Sequence, residues 1–521
     1  MKEKDKMEKV KFDNPAKSSP SRGTTGKKGK RAKAKGTVAK KIGIVLTVLQ
    51  LILSIVFIGT VMSINLLPIK YLAIVILLII VFWLITFATQ KRHKGRAVPG
   101  KIWSVIMIIA LIVGSFYVGK MDNAFEKVTG GSQKINSIIV VVLQEDAAKT
   151  IDDAKDYEFG TQFAIGGNDI QDAINTINER VQKDISVSEF TNMQDMASAL
   201  LDGTVDAVIY NEGYTGLIEE LFEDYESKIK IIYRHRKTVE LEPMIQEEVV
   251  KEFSITEDTF SVYISGIDVY GHISTNSRSD VNIIATVNPS TRQILLTTTP
   301  RDYYVPIPGV SNGQKDKLTH AGIYGVDASM ATLANLYETT IPFYARVNFT
   351  SVIEIVDQLG GVDVYSEYSF SNGAVTAQKG MNHFNGKQAL AFARERYQLP
   401  GGDNQRGKNQ QAVIVGIIKK MISPAILSNA SGIIDSVSGN VQTNMSQEQI
   451  QQLIKMQLNE GGSWNIYSVA ATGTGDRSTT YSMPGYAAYV MHPNMDSVNN
   501  IIDLMNRVED GEILDGSVIA Q

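Results

Sequence analysis

Residues 260–302 read FSVYISGIDVYGHISTNSRSDVNIIATVNPSTRQILLTTTPRD. Phe260 to Ile267 has the β-branched and aromatic content of a strand, ending at Gly266 and Asp268. A polar loop through His272, Ser274, Thr275 and Asn276 leads to a second strand pattern. There Arg278, Asp280 and Asn282 share one face by the period-two rule, and Val281, Ile283 and Ala285 share the other. One guanidinium and one carboxylate therefore emerge side by side. Asn288, Pro289 and Ser290 make a turn, and Gln293 to Thr299 returns as a strand that delivers Arg301 and Asp302 just after Pro300. Neighbouring antiparallel strands lie about 5 Å apart, which lets these polar ends converge.

Downstream, Asn385 is placed to cap a helix running through Gln388, Ala389 and Leu390 towards Arg394 and Arg396. On a continuous helix those two arginines would point about 200° apart, so they serve one ligand only if the helix ends there. Leu399-Pro400-Gly401-Gly402 is a break, after which Asp403 sits at an N-cap position with Arg406 and Gln410 along one face. The free amides and positive dipole end of that helix favour an anion.

For any single arginine the simpler reading is a surface ion pair, worth about 0 to 1 kcal/mol. The set as a whole resists it, because several arginines among Phe, Ala, Leu and Ile need compensation for desolvation of several kcal/mol per ion. A phosphate ligand supplies that, since guanidinium forks match phosphate oxygens two at a time. Asp268 and Asp280 are out of place beside such an anion unless they hold a cation. Mg²⁺ fits, being bound by one or two carboxylates plus substrate phosphate oxygens. Lys315 and Lys317 are placed by their loop to approach the same anion. The six histidines show no paired spacing; His272 and His320 read as loop or core residues rather than catalysts.

Upstream, Ile42 to Leu67, Tyr71 to Thr89 and Ile102 to Gly119 contain no Asp, Glu, Lys, Arg or His, and each is long enough to cross a bilayer. The first is too long for the apolar region of a cleaved signal peptide. Residues 1–41 carry fifteen Lys or Arg against four acids, a net of +11, and the second connection holds Lys91, Arg92, Lys94, Arg96 and Lys101. Positive charge marks the inner side, so the spacing predicts a disordered basic tail in the cytoplasm, three spans, and residues 120–521 outside. Removing that +11 from the overall −4 leaves −15, so the external arginines do not belong to a generally basic surface and no nucleic-acid partner is expected. The chain has no cysteine, which excludes disulfides, cysteine–zinc sites and thiol catalysis.

Between the spans and the arginine-rich region, residues 120–250 alternate strand-like runs (Ile138 to Leu143, Val205 to Tyr210, Ile229 to Tyr233) with helical spacing at Asp169 to Gln182 and Asn192 to Leu201. That pattern predicts a small α/β accessory unit. No catalytic signature appears in it, and the acids from Glu219 to Glu226 read as a solvated face.

Gly266-Ile267-Asp268, Asn276-Ser277-Arg278-Ser279-Asp280, Thr299-Pro300-Arg301-Asp302, the run from Gly386 to Arg396, and Asp403-Asn404-Gln405-Arg406 with Gln410 together resemble the LytR-CpsA-Psr family. The likeness covers residues 256–515, and three spans plus an extra external domain look like its CpsA-type members. It implies an α/β/α catalytic domain with a central mixed sheet and an apolar pocket for a polyprenyl chain. It also implies an enzyme that transfers a glycopolymer, capsular polysaccharide for CpsA-type members, from a polyprenyl-pyrophosphate carrier to peptidoglycan. Capsule synthesis machinery and membrane lipid are further partners it implies. Carried onto matching positions, Asp268 and Asp280 would hold Mg²⁺. Arg278, Arg301, Arg394, Arg396, Arg406 and Gln410 would grip the pyrophosphate, and Asp403 would orient Arg406 or receive a proton. Arg278, Arg301, Asp403 and Arg406 are the expected catalytic set. Ile323, Met330, Leu333, Leu336, Phe349, Val352, Ile355 and Val356 are candidates for the lipid pocket, although their helical spacing serves plain core packing equally. Two other functions use the same residues: a membrane-bound sensor of the lipid-linked polymer, and a hydrolase of the pyrophosphate.

Overall fold

The computed structural model describes residues 28–90, 98–129, 133–241, 253–267, 273, 276–400, 403–421 and 441–515; at 28–39, 121–128, 349–350 and 403–404 only the backbone is described. Asp268, His272 and the tail before residue 28 lie outside the described residues.

Three helices are long and apolar enough to cross a membrane, over Lys40–Ile64, Ile69–Gln90 and Val98–Lys120. The first ends where Asn65 takes a left-handed backbone (φ 51°) and Pro68, which lacks an amide hydrogen, cannot continue it. Small polar side chains tie the helices together: Ser104 Oγ donates to Gln50 Oε1 at 3.3 Å, and Trp83 Nε1 donates to the Thr47 carbonyl at 3.1 Å. Such bonds suit an apolar surrounding in which an unpaired polar group is costly.

The remainder forms a second compact unit containing two large sheets and four two-stranded ones. The accessory sheet has five strands in the spatial order Ser186–Glu189, Glu158–Thr161, Ala207–Asn211, Gln133–Leu143 and Ile229–Glu240. The inner strand Gln133–Leu143 is apolar on both faces over Ile138 to Val142 because both are covered. Ile138, Val140 and Val142 pack towards the helix Gly167–Val181, whereas Ile139 and Val141 pack towards the helices Met193–Leu201 and Thr215–Leu221.

The larger sheet has six strands in the order Val441–Thr443, Phe343–Asn348, Phe260–Ile267, Ser279–Asn288, Gln293–Thr298 and Asn465–Ala470. It is mixed: Phe343–Asn348 runs parallel to Phe260–Ile267, while Ser279–Asn288 is antiparallel to both of its neighbours. Adjacent residues face opposite layers. Ile284 and Leu295 pack with Met330, Leu333, Val498 and Ile501 of the helices Val326–Tyr337 and Met495–Glu509, and Ile283 and Leu296 pack with Ile414, Val415 and Ile418 of Asp403–Met421. This is the α/β/α sandwich with a central mixed sheet that the family resemblance implies.

The apolar stripe proposed for a lipid chain does not stay together. Ile323 joins the accessory core, Met330 and Leu333 lie in the core on one face of the large sheet, and Val352, Ile355 and Val356 belong to a third cluster with Phe384 and Phe392. Leu336 packs at the edge of the second of these, and the Phe349 side chain lies outside the described residues. Helical spacing gave these residues one face each but could not say which core each face enters.

Candidate functional site

The polar strand ends do converge. Arg301, at the corner after Gln293–Thr298, donates from Nη1 to Asp280 Oδ1 at 3.0 Å, with 18% and 14% of the two side chains exposed. Thr319 Oγ1 donates to the same oxygen at 3.2 Å, and its amide donates to the Arg301 carbonyl at 2.8 Å. The start of the helix Leu318–Tyr324 is thus pinned to the corner. That helix lies so close to the strand entry that a Cβ on Gly322 would stand 2.6 Å from the Ser277 carbonyl oxygen.

Burial alone would raise the Asp280 pKa, but the charges of Arg301, Arg278 and Arg406 outweigh it and hold the carboxyl below its ordinary range. Arg406 stands half-buried on Asp403–Met421, a helix fastened to the sheet by Gln411, whose Nε2 donates to the Leu296 carbonyl at 2.9 Å. Gln410 is half-buried on the same helix, and Asp403 is its first residue, its side chain lying outside the described residues.

Arg278 turns to a partner that was not expected. Its Nη1 donates to Glu220 Oε1 at 2.8 Å and to the Gly216 carbonyl at 3.2 Å, both on the accessory helix Thr215–Leu221. Lys317, only 4% exposed, lies 3.1 Å from Glu220 Oε2 and 3.5 Å from Asp302 Oδ1. Burial pushes the Glu220 pKa up, but Lys317, His320 and Arg278 bring the net shift downwards. Behind Lys317, His320 Nδ1 lies 2.6 Å from Asp316 Oδ1 in a fully buried pair, and Ser482 Oγ donates to Asp316 Oδ2 at 2.5 Å. His320 is therefore part of the site's support rather than its surface.

Arg394 is the last residue of the helix Gly386–Arg394, which ends because Glu395 takes an extended backbone, its Oε1 accepting from the amides of Arg396, Tyr397 and Gln398. Both arginines are exposed, with the Arg396 guanidinium 5.3 Å from the Tyr397 ring centre. The contacts described above unite Arg278, Asp280, Arg301, Asp302 and Lys317, with Arg406 felt electrostatically at Asp280. Glu220 and Thr319 were missed by sequence reasoning. Nothing local marks them, since one looks like an exposed acid and the other like an ordinary helix start.

Among the described residues no group of three or more His, Asp or Glu is arranged to hold a metal ion. Asp280 Oδ1 is occupied by Arg301 and Thr319, while Oδ2 makes no hydrogen bond among the described residues. One free carboxylate oxygen beside arginines suits an ion that takes most of its ligands from water and phosphate; it is not an all-protein cage.

The strand ends of this α/β/α domain bring Arg278, Arg301 and Lys317 together with Asp280 and Asp302, with Arg406 acting on Asp280. A LytR_cpsA_psr family model matches residues 229–502, more than half of the chain. The chain belongs to the LytR-CpsA-Psr family. It is 36% identical over 200 residues to an Enterococcus faecalis protein named polyisoprenyl-teichoic acid–peptidoglycan teichoic acid transferase TagU, a match covering 38% of this chain and 65% of that one. A Bacillus anthracis TagU is 33% identical over 231 residues, covering 44% and 73%. The crystal structure of B. subtilis TagU shares 28% identity and superposes with a TM-score of 0.39, covering 50% of this chain and 100% of that one.

Proposed function

We propose that this protein transfers a glycopolymer from a polyprenyl-pyrophosphate carrier to peptidoglycan through a phosphodiester bond. Family membership and the transferase names of its relatives support the reading. The observation that carries it is the Asp280–Arg301 pair at 3.0 Å, with Arg278 and Arg406 close enough to hold that carboxylate ionised. The polymer we propose is capsular polysaccharide, on the resemblance to CpsA-type members; teichoic acid, named for the relatives, is the competing substrate. In this reading the three apolar helices anchor the chain with its N-terminus in the cytoplasm and the catalytic domain outside.

In the transfer, the oxygen of a peptidoglycan hydroxyl bonds to the sugar-linked phosphorus as the bond from that phosphorus to the bridging oxygen breaks. The electron pair leaves with the polyprenyl phosphate, and the acceptor hydroxyl gives up its proton. Such reactions depend mainly on positioning the phosphates and neutralising their charge. Arg278, Arg301 and Arg406, with Arg394, Arg396 and Gln410, are the groups we assign to the diphosphate oxygens, two donors per guanidinium where geometry allows. Asp403 either orients Arg406 or receives the proton. Asp280 and Asp268 would hold Mg²⁺, which when bound adds charge neutralisation at the phosphate oxygens.

The test is the full chain in detergent with Mg²⁺, a labelled polyprenyl-pyrophosphate glycan and peptidoglycan. Label fixed covalently to peptidoglycan is the expected outcome. Label released to solution would make the protein a hydrolase, and substrate recovered bound and unchanged would make it a sensor.

A further inference from the structure

Among the described residues the accessory half meets Arg278 and Lys317 through the short helix Thr215–Leu221, and that contact is specific. Gly216 and Glu220 lie four residues apart on Thr215–Leu221 and so share one face. The opposite side of the helix is fixed, because Leu217 and Ile218 are buried in the accessory core. The same core takes in Ile323 and Met483 from the catalytic half, and the Tyr214 and Tyr324 rings meet edge to face at 6.5 Å. Lys134 Nζ bonds the Tyr324 carbonyl at 2.9 Å and Asp327 at 3.0 Å, and Asn276 Nδ2 donates to Asn136 Oδ1 at 2.8 Å, two residues before Arg278. The two halves are locked on either side of the Arg278–Glu220 contact.

The guanidinium of Arg278 lies flat against the bare Cα of Gly216: a Cβ there would stand 2.8 Å from Arg278 Cζ and Nη2 and 3.0 Å from Nε. Its Nη1 hydrogens are consumed by the Gly216 carbonyl and Glu220. Nε and Nη2, the parallel pair of donors that matches two oxygens of one phosphate, make no hydrogen bond among the described residues. Glu220 meanwhile uses its other oxygen to fix the buried Lys317.

We propose that the accessory domain is part of the anion site itself: Gly216 and Glu220 are positioning residues that hold Arg278 by Nη1 so that its Nε/Nη2 fork is presented to a diphosphate. The inference rests on the reading of the site as a diphosphate cradle. In it the accessory unit is not a spacer, and Glu220 is not an anion that competes with the ligand.

The experiment is calorimetric binding of farnesyl diphosphate and farnesyl monophosphate to the full chain in detergent. Arg278→Ala should weaken diphosphate binding by about ten-fold or more, the loss of a charged pair of hydrogen bonds. Glu220→Ala and Gly216→Val should each weaken it by roughly five-fold, with a smaller effect on the monophosphate. Glu220→Gln, which keeps an acceptor and guards against misfolding, should stay within about three-fold of the parent. In an Arg278→Ala background, Glu220→Ala should cost less than about two-fold, because it acts through the missing guanidinium. A transfer assay should show the Glu220→Ala loss in KM rather than in kcat. Tighter diphosphate binding by Glu220→Ala would make Glu220 a competing anion and overturn the inference. An equal loss with or without Arg278 would overturn it too. If Arg278→Ala and Arg301→Ala weaken binding while Glu220→Ala and Gly216→Val do not, the cradle stands and this inference alone falls. If the parent protein binds no diphosphate, both fall.

Discussion

Arg278 and Arg301 leave neighbouring strand ends with the same chemistry, yet each is held by a different half of the molecule. Arg301 is paired within its own sheet, to Asp280 two positions along from Arg278. Arg278 is paired across to the accessory helix, to Glu220. The first arrangement follows from strand pairing and is built into any copy of the sheet. The second exists only while the accessory half is docked, so one cation of the site is held from within its own sheet and the other by a neighbour.

The sharpest way to break that contrast is at the intrinsic pair. Arg301→Ala and Asp280→Ala should each reduce transfer by about 100-fold or more while the circular dichroism spectrum is retained, as expected when a charge stabiliser of the transition state is removed. Activity near the parental level in either would remove the pair from the site. At the interface between the halves, Lys317→Ala leaves Glu220 and Asp302 facing each other without their shared cation, and should lower unfolding free energy by about 2 kcal/mol in denaturant titration. An unchanged midpoint would mean the two carboxylates are already solvated.

Acidification tests both halves at once. Asp280 and Glu220 have folded pKa values below their ordinary ones, so the stability they contribute is full above the ordinary carboxylate range, near 4, and is lost as pH falls through the lower folded values. Melting temperature should therefore hold from neutrality to about pH 5 and fall below about pH 4, with a shallower fall in Asp280→Asn and in Glu220→Gln. An identical acid slope in parent and variants would deny these carboxylates their depressed pKa. The smallest effect belongs to a pair remote from the site: Arg180, half-exposed at 2.8 Å from Asp152, should give a melting curve indistinguishable from the parent when changed to Ala.

What could be read in advance follows from the range of the interactions involved. The Pro300 corner places Arg301 beside Asp280, because strand pairing is a short-range rule, but period-two alternation does not run through the strand end: the register shifts at Gly266/Ile267, and Ser279 and Asn282, three residues apart, both reach the Tyr263 hydroxyl. The sequence leaves open whether the helix ends at Arg394, because the Pro400-Gly401-Gly402 break lies further on; Glu395 ends it, and both arginines there are exposed. The partner of Arg278 lies 58 residues away in a segment with no catalytic signature, and its only local sign is an acid among acids. The apolar stripe from Ile323 to Val356 failed for a related reason, since spacing assigns a face and only topology assigns the core that receives it. Ile323 shows the limit clearly: its neighbours are accessory residues such as Tyr210 and Leu217, more than 100 positions earlier.

That last contact bears on how the protein is made. Chains usually complete their domains in the order in which they are synthesised, but the core under the helix Thr215–Leu221 includes Met483 as well as Ile323. The early half must wait, with part of its apolar floor uncovered, until Met483 has been synthesised.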